Sequence, residues 1–398
     1  MRALVLDGDS RAALSIVRSL GRRGIHVVVG SEDRCSLAGR SRFCSGSLVY
    51  PCPRATPRQF EDWLVSTLEL MPETVLYLSS DITVSLAGRC RERLPEGARC
   101  LLPPRESLET ALDKSATLAL AAKLHVPTPR SVEVTRGQLL SGFSYPVAIK
   151  AAQSDLPYRY ATTYASDQSE LTVVLDEVLR ESPAALVQEV IPGQGTAIFS
   201  LFRSGRPLAA FAHRRVIEKP PWGGVSALCE SIEPPPDALA YALDMLSALD
   251  WHGPAMVEFK RNADGVPCLM EINPRFWGSL ELAVRSGADF PYLAWRLAQG
   301  EPFETPSIRP AANRWVLGEI DSLTTALISG VPGRSRIAEV GAHLRGLRYG
   351  PSCEVERLSD PGPALYEYAT WLRTSARRFA ARWKGGAARW GRMSAPEG

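Results

Sequence analysis

The stretch that decides the fold is AMVEFKRNADGVPCLMEIN, residues 255–273. Two runs of alternating apolar and polar residues flank an Asp-Gly dipeptide, which is the strongest short-range signal of a β-hairpin. A two-residue loop at Asp264-Gly265 would place Glu258 opposite Glu271, with Met256 opposite Asn273 on the same face. The other face would be apolar, because it pairs Val257 with Ile272 and Phe259 with Met270. One face is therefore predicted to join the core, and the other to carry the acids.

The paired acids predict a metal site. The Cβ atoms of directly opposed residues lie about 4.5–5.5 Å apart, and like charges at that distance destabilise a hairpin unless a cation offsets them. Glu258, Glu271 and Asn273 offer oxygen donors on one face, which suits Mg²⁺ or Mn²⁺ held together with substrate phosphates. Arg275, two residues further along, could reach the same phosphate. The alternative is a solvated polar face on which Lys260 balances the acids.

The first hundred residues show the pattern of a parallel sheet covered by helices. Apolar residues 4–6 are followed by the turn 7–10, by a helical pattern up to residue 20, and by a second strand at 26–29. Strand and helix signals alternate up to residue 78, which favours a βαβ arrangement. Neither G-x-G-x-x-G nor G-x-x-x-x-G-K-[ST] occurs, so two common nucleotide-binding loops are not expected. Ser79-Ser80-Asp81, at a strand end, could face a substrate.

The middle of the chain predicts two further units. Residues 107–124 have a helical pattern, and the strand 143–150 ends at Lys150. A helix at 171–180 and a strand at 185–191 complete a small α+β unit. A hairpin over 199–213 then begins a second, antiparallel unit.

Taken together, Lys150, the run Gln188-Glu189-Val190-Ile191-Pro192-Gly193 and the hairpin ending in Glu271-Ile272-Asn273-Pro274-Arg275 resemble the ATP-grasp family. The similarity covers roughly residues 1–305, and residues 270–278 are its most specific part. Within the family, the chain resembles carboligases related to carbamoyl-phosphate synthetase, a group that includes D-aspartate ligase.

The resemblance implies an α/β and α+β fold with three parts. A parallel-sheet, Rossmann-like pre-ATP-grasp domain would span residues 1–106, and a two-lobed ATP-grasp domain would span 107–306. Its small lobe would be 107–191 and its large lobe 192–306. A helical, basic extension would follow at 307–398.

The resemblance also implies roles for individual residues. Lys114 and Lys150 would contact ATP phosphates, and the strand with Gln188, Glu189 and Ile191 would contact adenine. Glu258, Glu271 and Asn273 match the metal ligands, and Arg275 matches the arginine near the transferred phosphate.

Arg214-Arg215 and the loop 220–226 could hold an acyl-phosphate or a carboxylate, although a basic edge strand and an ordinary turn are the alternative. Two departures from the family pattern stand out. Thr196 occupies the position where many members have a ribose-binding acid. Tyr158-Arg159-Tyr160 replaces the glycines that often cover the triphosphate.

The implied activity is an ATP- and Mg²⁺-dependent ligase that joins a carboxylate to an amine through an acyl-phosphate. The resemblance implies that its substrates are small molecules, amino-acid-like in chemistry as in the related ligases. The alternatives are a degenerate ATP-binding regulatory or assembly protein, and a kinase-like enzyme that stops at the acyl-phosphate. No nucleic-acid partner is expected, and the substrates' identity and the oligomeric state are undefined.

Composition limits the remaining choices. The 398 residues carry a net charge of +3, with 45% hydrophobic and 22% charged residues, which is typical of globular domains. The amino-terminal sequence has no signal-peptide pattern, so a cytoplasmic location is expected. Eight scattered cysteines predict no zinc site. Residues 371–398 interleave bases with aromatic residues, and this basic amphipathic tail could make weak contact with a membrane surface.

Overall fold

The computed structural model describes residues 1–138, 140, 142–152, 162–329, 335–350 and 352–384. Across these residues, the structure contains no helix that is both long and apolar enough to cross a bilayer. The predicted phosphate-covering residues Tyr158-Arg159-Tyr160 lie outside the described residues, as do residues 385–398 of the predicted basic tail.

A five-stranded parallel sheet forms the first layer. Its strands follow the order β3-β2-β1-β4-β5, as the alternating pattern predicted. The strands are β1 (Arg2–Val5), β2 (Val27–Ser31), β3 (Gly46–Val49), β4 (Thr74–Tyr77) and β5 (Arg99–Cys100), and the helices are α1 (Arg11–Gly21), α2 (Pro57–Leu70) and α3 (Asp81–Arg89). The carboxyl ends of β1 and β4 lead into Asp7 and Asp81, which places both acids at one edge of the sheet.

A four-stranded antiparallel sheet follows, with the order β6-β9-β7-β8. Its elements and the helices before it are α4 (Arg105–Leu112), α5 (Lys114–Lys123), β6 (Ser131–Thr135), β7 (Val147–Ala151), β8 (Thr163–Ala165), α6 (Gln168–Glu181) and β9 (Ala184–Glu189). Helix α6 packs its buried leucines on the sheet, in a core that includes Ile149 and Val187.

The single helix predicted over residues 107–124 is wrong. The chain breaks at Asp113, whose extended backbone separates α4 from α5. The Asp113 carboxylate accepts a hydrogen bond of 2.9 Å from the backbone N–H of Ala116 and so caps the second helix. Lys114 consequently occupies the first position of α5 rather than a mid-helix surface.

A six-stranded sheet forms the largest unit, with the order β14-β13-β10-β11-β12-β15. Its strands and associated helices are β10 (Gly195–Arg203), β11 (Arg206–Lys219), β12 (Val225–Ile232), α7 (Pro236–Ala248), β13 (Gly253–Arg261), β14 (Pro267–Asn273), α8 (Leu280–Ser286), α9 (Phe290–Ala298) and β15 (Ala312–Arg314). One face packs on α7, and the other shares a core with α1, α8 and α9. The first sheet and the six-stranded sheet are therefore joined through buried apolar side chains.

The hairpin of β13 and β14 pairs Glu258 with Glu271, as predicted. The predicted pairing of Phe259 with Met270 is wrong, because Phe259 pairs with Leu269. The connection is longer than two residues: Asn262 and Val266 close it, and Gly265 adopts a positive φ of 78°. A bulge at Met270 absorbs the resulting change of register and returns the two glutamates to opposed positions.

Three helices follow the last strand, in a region where the sequence pattern predicts no individual elements. They are α10 (Val316–Ser329), α11 (Arg336–Gly346) and α12 (Gly362–Lys384), and they confirm the helical character of the extension. The segment between α11 and α12 returns to the first sheet, where Glu354 pairs with Arg11 and Asp360 pairs with Arg18. The predicted domain boundaries at residues 106, 191 and 306 stay predictions.

Candidate active site

The opposed glutamates of β13 and β14 lie in a largely buried position. The Glu258 side chain is 13% exposed and forms an ion pair with Arg215 of β11. Glu271 accepts a hydrogen bond of 3.0 Å from the side-chain amide of Asn273. The face that carries the two acids is thus largely buried, and the cation paired with Glu258 is Arg215.

Two lysines outside the hairpin act on Glu271. Burial raises the pKa of Glu271, but the positive charges of Lys114 and Lys150 outweigh this effect and hold the pKa below its ordinary value. Burial in turn lowers the pKa of Lys150, against the opposing influence of Glu271. Glu271 of the six-stranded sheet therefore lies within electrostatic reach of lysines from α5 and from the four-stranded sheet.

The end of β9 places the three residues predicted to contact adenine in different environments. Gln188 is 1% exposed, and its side chain accepts a hydrogen bond of 3.0 Å from the ammonium group of Lys150 and donates one of 3.0 Å to Ser131. Glu189 is exposed, whereas Ile191 is buried. Gln188 thereby fixes the direction of Lys150.

Arg275 links the hairpin to the first sheet. Its Nη2 donates to the Asn273 side-chain oxygen at 3.0 Å, and its Nε donates to the Asp81 carboxylate at 2.6 Å. A continuous chain of polar contacts then runs from Glu271 through Asn273 and Arg275 to Asp81. Asp81, one of the residues 79–81 expected to face a substrate, thus contacts Arg275. That these residues face a substrate stays a prediction.

Sequence reasoning missed Asp7, which organises this edge of the first sheet. Its carboxylate accepts hydrogen bonds from the Ser79 backbone N–H at 2.9 Å, from the Ser80 hydroxyl at 2.8 Å and from the Thr83 hydroxyl at 2.8 Å. These contacts hold the first turn of α3, which begins with Asp81. Its place directly after a buried strand is the one signal that could have singled it out.

Arg214 and Arg215 are neighbours in β11, but their side chains have different partners. Arg215 reaches Glu258 and donates to the Gly224 carbonyl at 2.9 Å, so it joins the hairpin to the loop 220–226. Arg214 instead pairs with Glu230 through its Nε at 3.0 Å. The expectation that both arginines act together is wrong, because successive side chains of a strand point to opposite faces.

His213 lies on β11 two residues before Arg215, in register with Ala197 of β10, which in turn pairs with Glu258. The histidine is fully buried, its ring Nδ1 is 3.2 Å from the Ser279 hydroxyl, and its ring packs edge-on to Phe199. Burial and the nearby charge of Arg215 lower the pKa of His213 well below its ordinary value, so the ring is neutral. A neutral ring adds no further positive charge next to Arg215.

The donor set of the hairpin fits a hard divalent cation. Glu258 of β13 supplies one carboxylate. Its partner Glu271 on β14 supplies the second, and Asn273, two residues further along β14, supplies the amide oxygen. The described part of the chain holds no cluster of three or more His, Cys, Asp or Glu side chains placed for metal binding. A cation here would therefore have only the two acids and the amide, which is the sparse protein ligation that Mg²⁺ shows when phosphates and water complete its shell. Arg215 and the two lysines supply positive charge to these acids in the structure.

Thr196, at the position where the family pattern places an acid, lies half-buried in β10 and pairs with Phe259 of β13. The structure therefore offers a hydroxyl there and no charge.

Comparison with known proteins adds to this geometry. Residues 181–321 match the model of the family described as ATP-grasp in the biosynthetic pathway with Ter operon. The L-amino acid ligase from Bacillus licheniformis is similar in structure, with a TM-score of 0.60 and 18% identity over 76% of this chain and 75% of that chain. The chain has the ATP-grasp fold.

Two further ATP-grasp structures show the same extent of similarity. The N5-carboxyaminoimidazole ribonucleotide synthetase from Thermotoga maritima gives a TM-score of 0.56 with 16% identity, over 78% of this chain and 79% of that chain. A biotin carboxylase–β,γ-ATP complex from Campylobacter jejuni gives 0.60 with 12% identity, over 78% and 74%. No curated protein matches the sequence. The fold class predicted from the sequence is confirmed.

Proposed function

We propose that the protein is an ATP- and Mg²⁺-dependent ligase that joins a carboxylate to an amine through an acyl-phosphate. The observation that carries the proposal is the buried, opposed pair Glu258 and Glu271, on which Arg215, Lys114 and Lys150 all act. Two acids at directly opposed positions of a hairpin repel each other, and the surrounding cations offset that repulsion as a bound Mg²⁺ would. Their retention within a ring of phosphate-binding side-chain types favours nucleotide chemistry.

Each group has a proposed role in binding. Lys114 and Lys150 neutralise the triphosphate, while the strand end at 188–191 receives adenine. Glu258, Glu271 and Asn273 would hold one or two Mg²⁺ ions, which Mn²⁺ could replace. A bound Mg²⁺ would neutralise part of the charge of the triphosphate.

The chemistry follows from where these charges lie. A carboxylate oxygen of the substrate attacks the γ-phosphorus, and the bond between that phosphorus and the β,γ-bridging oxygen breaks, releasing ADP. Arg275 and Arg215 stabilise the negative charge that spreads over the transferred group. The amine then attacks the acyl carbon and loses a proton, and the carbon–oxygen bond to phosphate breaks, yielding an amide and inorganic phosphate. No covalent enzyme intermediate is required.

The similar structures support this class of reaction without defining its substrates. One is an L-amino acid ligase and another is a biotin carboxylase in complex with β,γ-ATP. On the basis of these structures we propose only that the reactants are ATP and small, amino-acid-like carboxylates and amines.

The test is ADP release measured with purified protein, Mg²⁺, ATP and a panel of amino acids offered singly and in pairs. The proposal expects ADP, phosphate and an amide product in equal amounts for at least one pair, and no turnover with EDTA present. When hydroxylamine is added with the carboxylate alone, it should trap the acyl-phosphate as a hydroxamate.

Two results would contradict the proposal. Tight Mg²⁺·ATP binding with no turnover on any pair would point to the regulatory or assembly module instead. Hydroxamate formation without an amide from any amine would point to an enzyme that stops at the acyl-phosphate. In the same assay Glu271→Gln should lose turnover, and Glu109→Gln, on an exposed ion pair of α4, is its matched control and should retain it.

A further inference from the structure

The last two helices expose large apolar side chains to solvent. Ile337 and Leu344 of α11 are 85% and 62% exposed, and Leu347, just beyond this helix, is 64% exposed. On α12, Leu365 and Leu372 are 71% and 59% exposed. Each helical pair is spaced seven residues apart, so its members share one face of their helix.

The charges on the same segment all have one sign where they reach solvent. Among described residues 335–375, the exposed charged side chains are arginines, namely Arg336, Arg345, Arg348 and Arg373. The acids of this segment are buried or half-buried, namely Glu339, Glu354, Glu356, Asp360 and Glu367. Several of them are used internally: Glu367, for example, accepts a hydrogen bond of 2.9 Å from the Trp315 ring. The solvent-facing surface is therefore apolar and basic together.

We propose that the exposed faces of α11 and α12 dock on an anionic lipid bilayer. Helices that combine an apolar stripe with flanking arginines lie in the membrane interface, where the stripe enters the acyl boundary and the guanidinium groups meet lipid phosphates. Both helices are fixed to α10. Helix α11 packs against it, and Trp371 of α12 donates to Asp321 of α10 at 3.0 Å. The surface is therefore presented by a folded unit.

Charge argues against two other occupants. A second copy docked face to face would bring like charges together, because the interface of a two-fold dimer is self-complementary. The chain's own residues 385–398 carry Arg389 and Arg392 against the single acid Glu397, so they share the sign of the surface. An anionic surface complements both the arginines and the apolar side chains.

The experiment is co-sedimentation of the full chain with vesicles of phosphatidylglycerol and phosphatidylcholine, and with vesicles of phosphatidylcholine alone. Binding is expected only to the anionic vesicles, and it should weaken as salt screens the arginines. The double variants Ile337→Ser/Leu344→Ser and Leu365→Ser/Leu372→Ser should each bind about tenfold more weakly, because each withdraws two apolar side chains from the interface. Leu70→Ser, an 83% exposed leucine on α2, should bind as the wild type does.

Several outcomes would overturn the inference. The first is equal binding to anionic and neutral vesicles, and the second is unchanged binding by both double variants. The third is loss of binding in Arg389→Glu/Arg392→Glu alone, which would assign the contact to the tail. A dimer in light scattering that Ile337→Ser/Leu344→Ser dissociates would assign the surface to a second copy. ATP binding by each variant, measured in parallel, checks that the fold is intact, since these residues lie outside the proposed nucleotide site.

Discussion

Arg275 is the residue at which the hairpin and the first sheet meet the proposed phosphate. Its guanidinium group is 21% exposed and bonds to Asp81 on one side and to Asn273 on the other. Burial lowers the pKa of Arg275, but the Asp81 carboxylate more than offsets this and raises it. We therefore expect Asp81 to be a positioning residue that fixes the direction of the Arg275 charge.

Replacing Asp81 by Asn tests this role. The amide keeps the shape of the side chain but removes the charge that orients Arg275, and hydrogen bonds between charged groups contribute about 1.5–3 kcal/mol. We expect kcat for ADP release to fall about tenfold or more, with the KM for ATP nearly unchanged. Steady-state kinetics with the best substrate pair provides the measurement.

Asp62→Asn is the control, because Asp62 forms an ion pair with Arg93 in which both side chains are at least half exposed. It should leave both constants as they are. A rise in KM with constant kcat in Asp81→Asn would show that Asp81 serves only ground-state binding.

The sequence predicted some of these residues and missed others for a physical reason. Glu258 and Glu271 were predictable as a pair because side chains alternate with a period of two on both strands. Asp81 and Arg275 are separated by 194 residues. Their contact depends on how two sheets pack, and no local pattern encodes that.

At the scale of elements, the hairpin shows how two local irregularities compensate. Its connection closes at Asn262 and Val266, with Gly265 in the left-handed region at a φ of 78°. This loop alone would shift the pairing, and the bulge beside Glu258 restores it. The opposed glutamates thus depend on both features.

Gly265→Ala should destabilise the protein by about 1 kcal/mol, since an L side chain is strained at this φ. Nothing lies within 4 Å of a Cβ added there, so steric contact contributes nothing. The measurement is the free energy of unfolding by urea, with Gly46→Ala as the control. Gly46 has equally open surroundings without a positive φ, and its substitution should not destabilise the protein. Equal effects at both positions would contradict the assigned loop geometry.

Elements with strong periodicity were predictable, and those set by a single side chain were not. The parallel strands and the 199–213 hairpin follow from apolar runs bounded by turn residues. The break between α4 and α5 depends on the capping side chain of Asp113, and a helical pattern continues across it. Helices α10 to α12 were not placed individually, because their apolar residues do not all lie on a buried stripe: Ala326 of α10 is buried, whereas Ile337 and Leu344 of α11 are exposed.

At the scale of the whole molecule, the segment between α11 and α12 fastens the carboxyl-terminal helices to the first sheet. Arg18 and Asp360 are each 1% exposed and pair at 2.8 Å. Asp360 also accepts hydrogen bonds from the Ser41 hydroxyl at 2.7 Å and the Arg42 backbone N–H at 2.8 Å. The orientation of α1, and with it the edge that carries Asp7, depends on this contact.

Asp360→Asn should lower the free energy of unfolding by about 3–5 kcal/mol, because it leaves the Arg18 charge buried without its partner. Urea denaturation provides the measurement. Asp237→Asn is the control, since its partner Arg261 is 38% exposed and the pair should contribute less than about 1 kcal/mol. A loss of similar size in both variants would mean that the buried pair does not fasten the molecule.

The central claim is that Glu258 and Glu271 hold the metal of a bound nucleoside triphosphate. It is tested most directly by calorimetric titration of ATP into the wild type, Glu271→Gln and Glu109→Gln, with Mg²⁺ and with EDTA. We predict that Mg²⁺ tightens binding to the wild type and to Glu109→Gln, and that Glu271→Gln raises the Kd for Mg²⁺·ATP by at least about tenfold, or about 1.4 kcal/mol. An ATP affinity that is independent of Mg²⁺, or equal in all three proteins, would contradict the account.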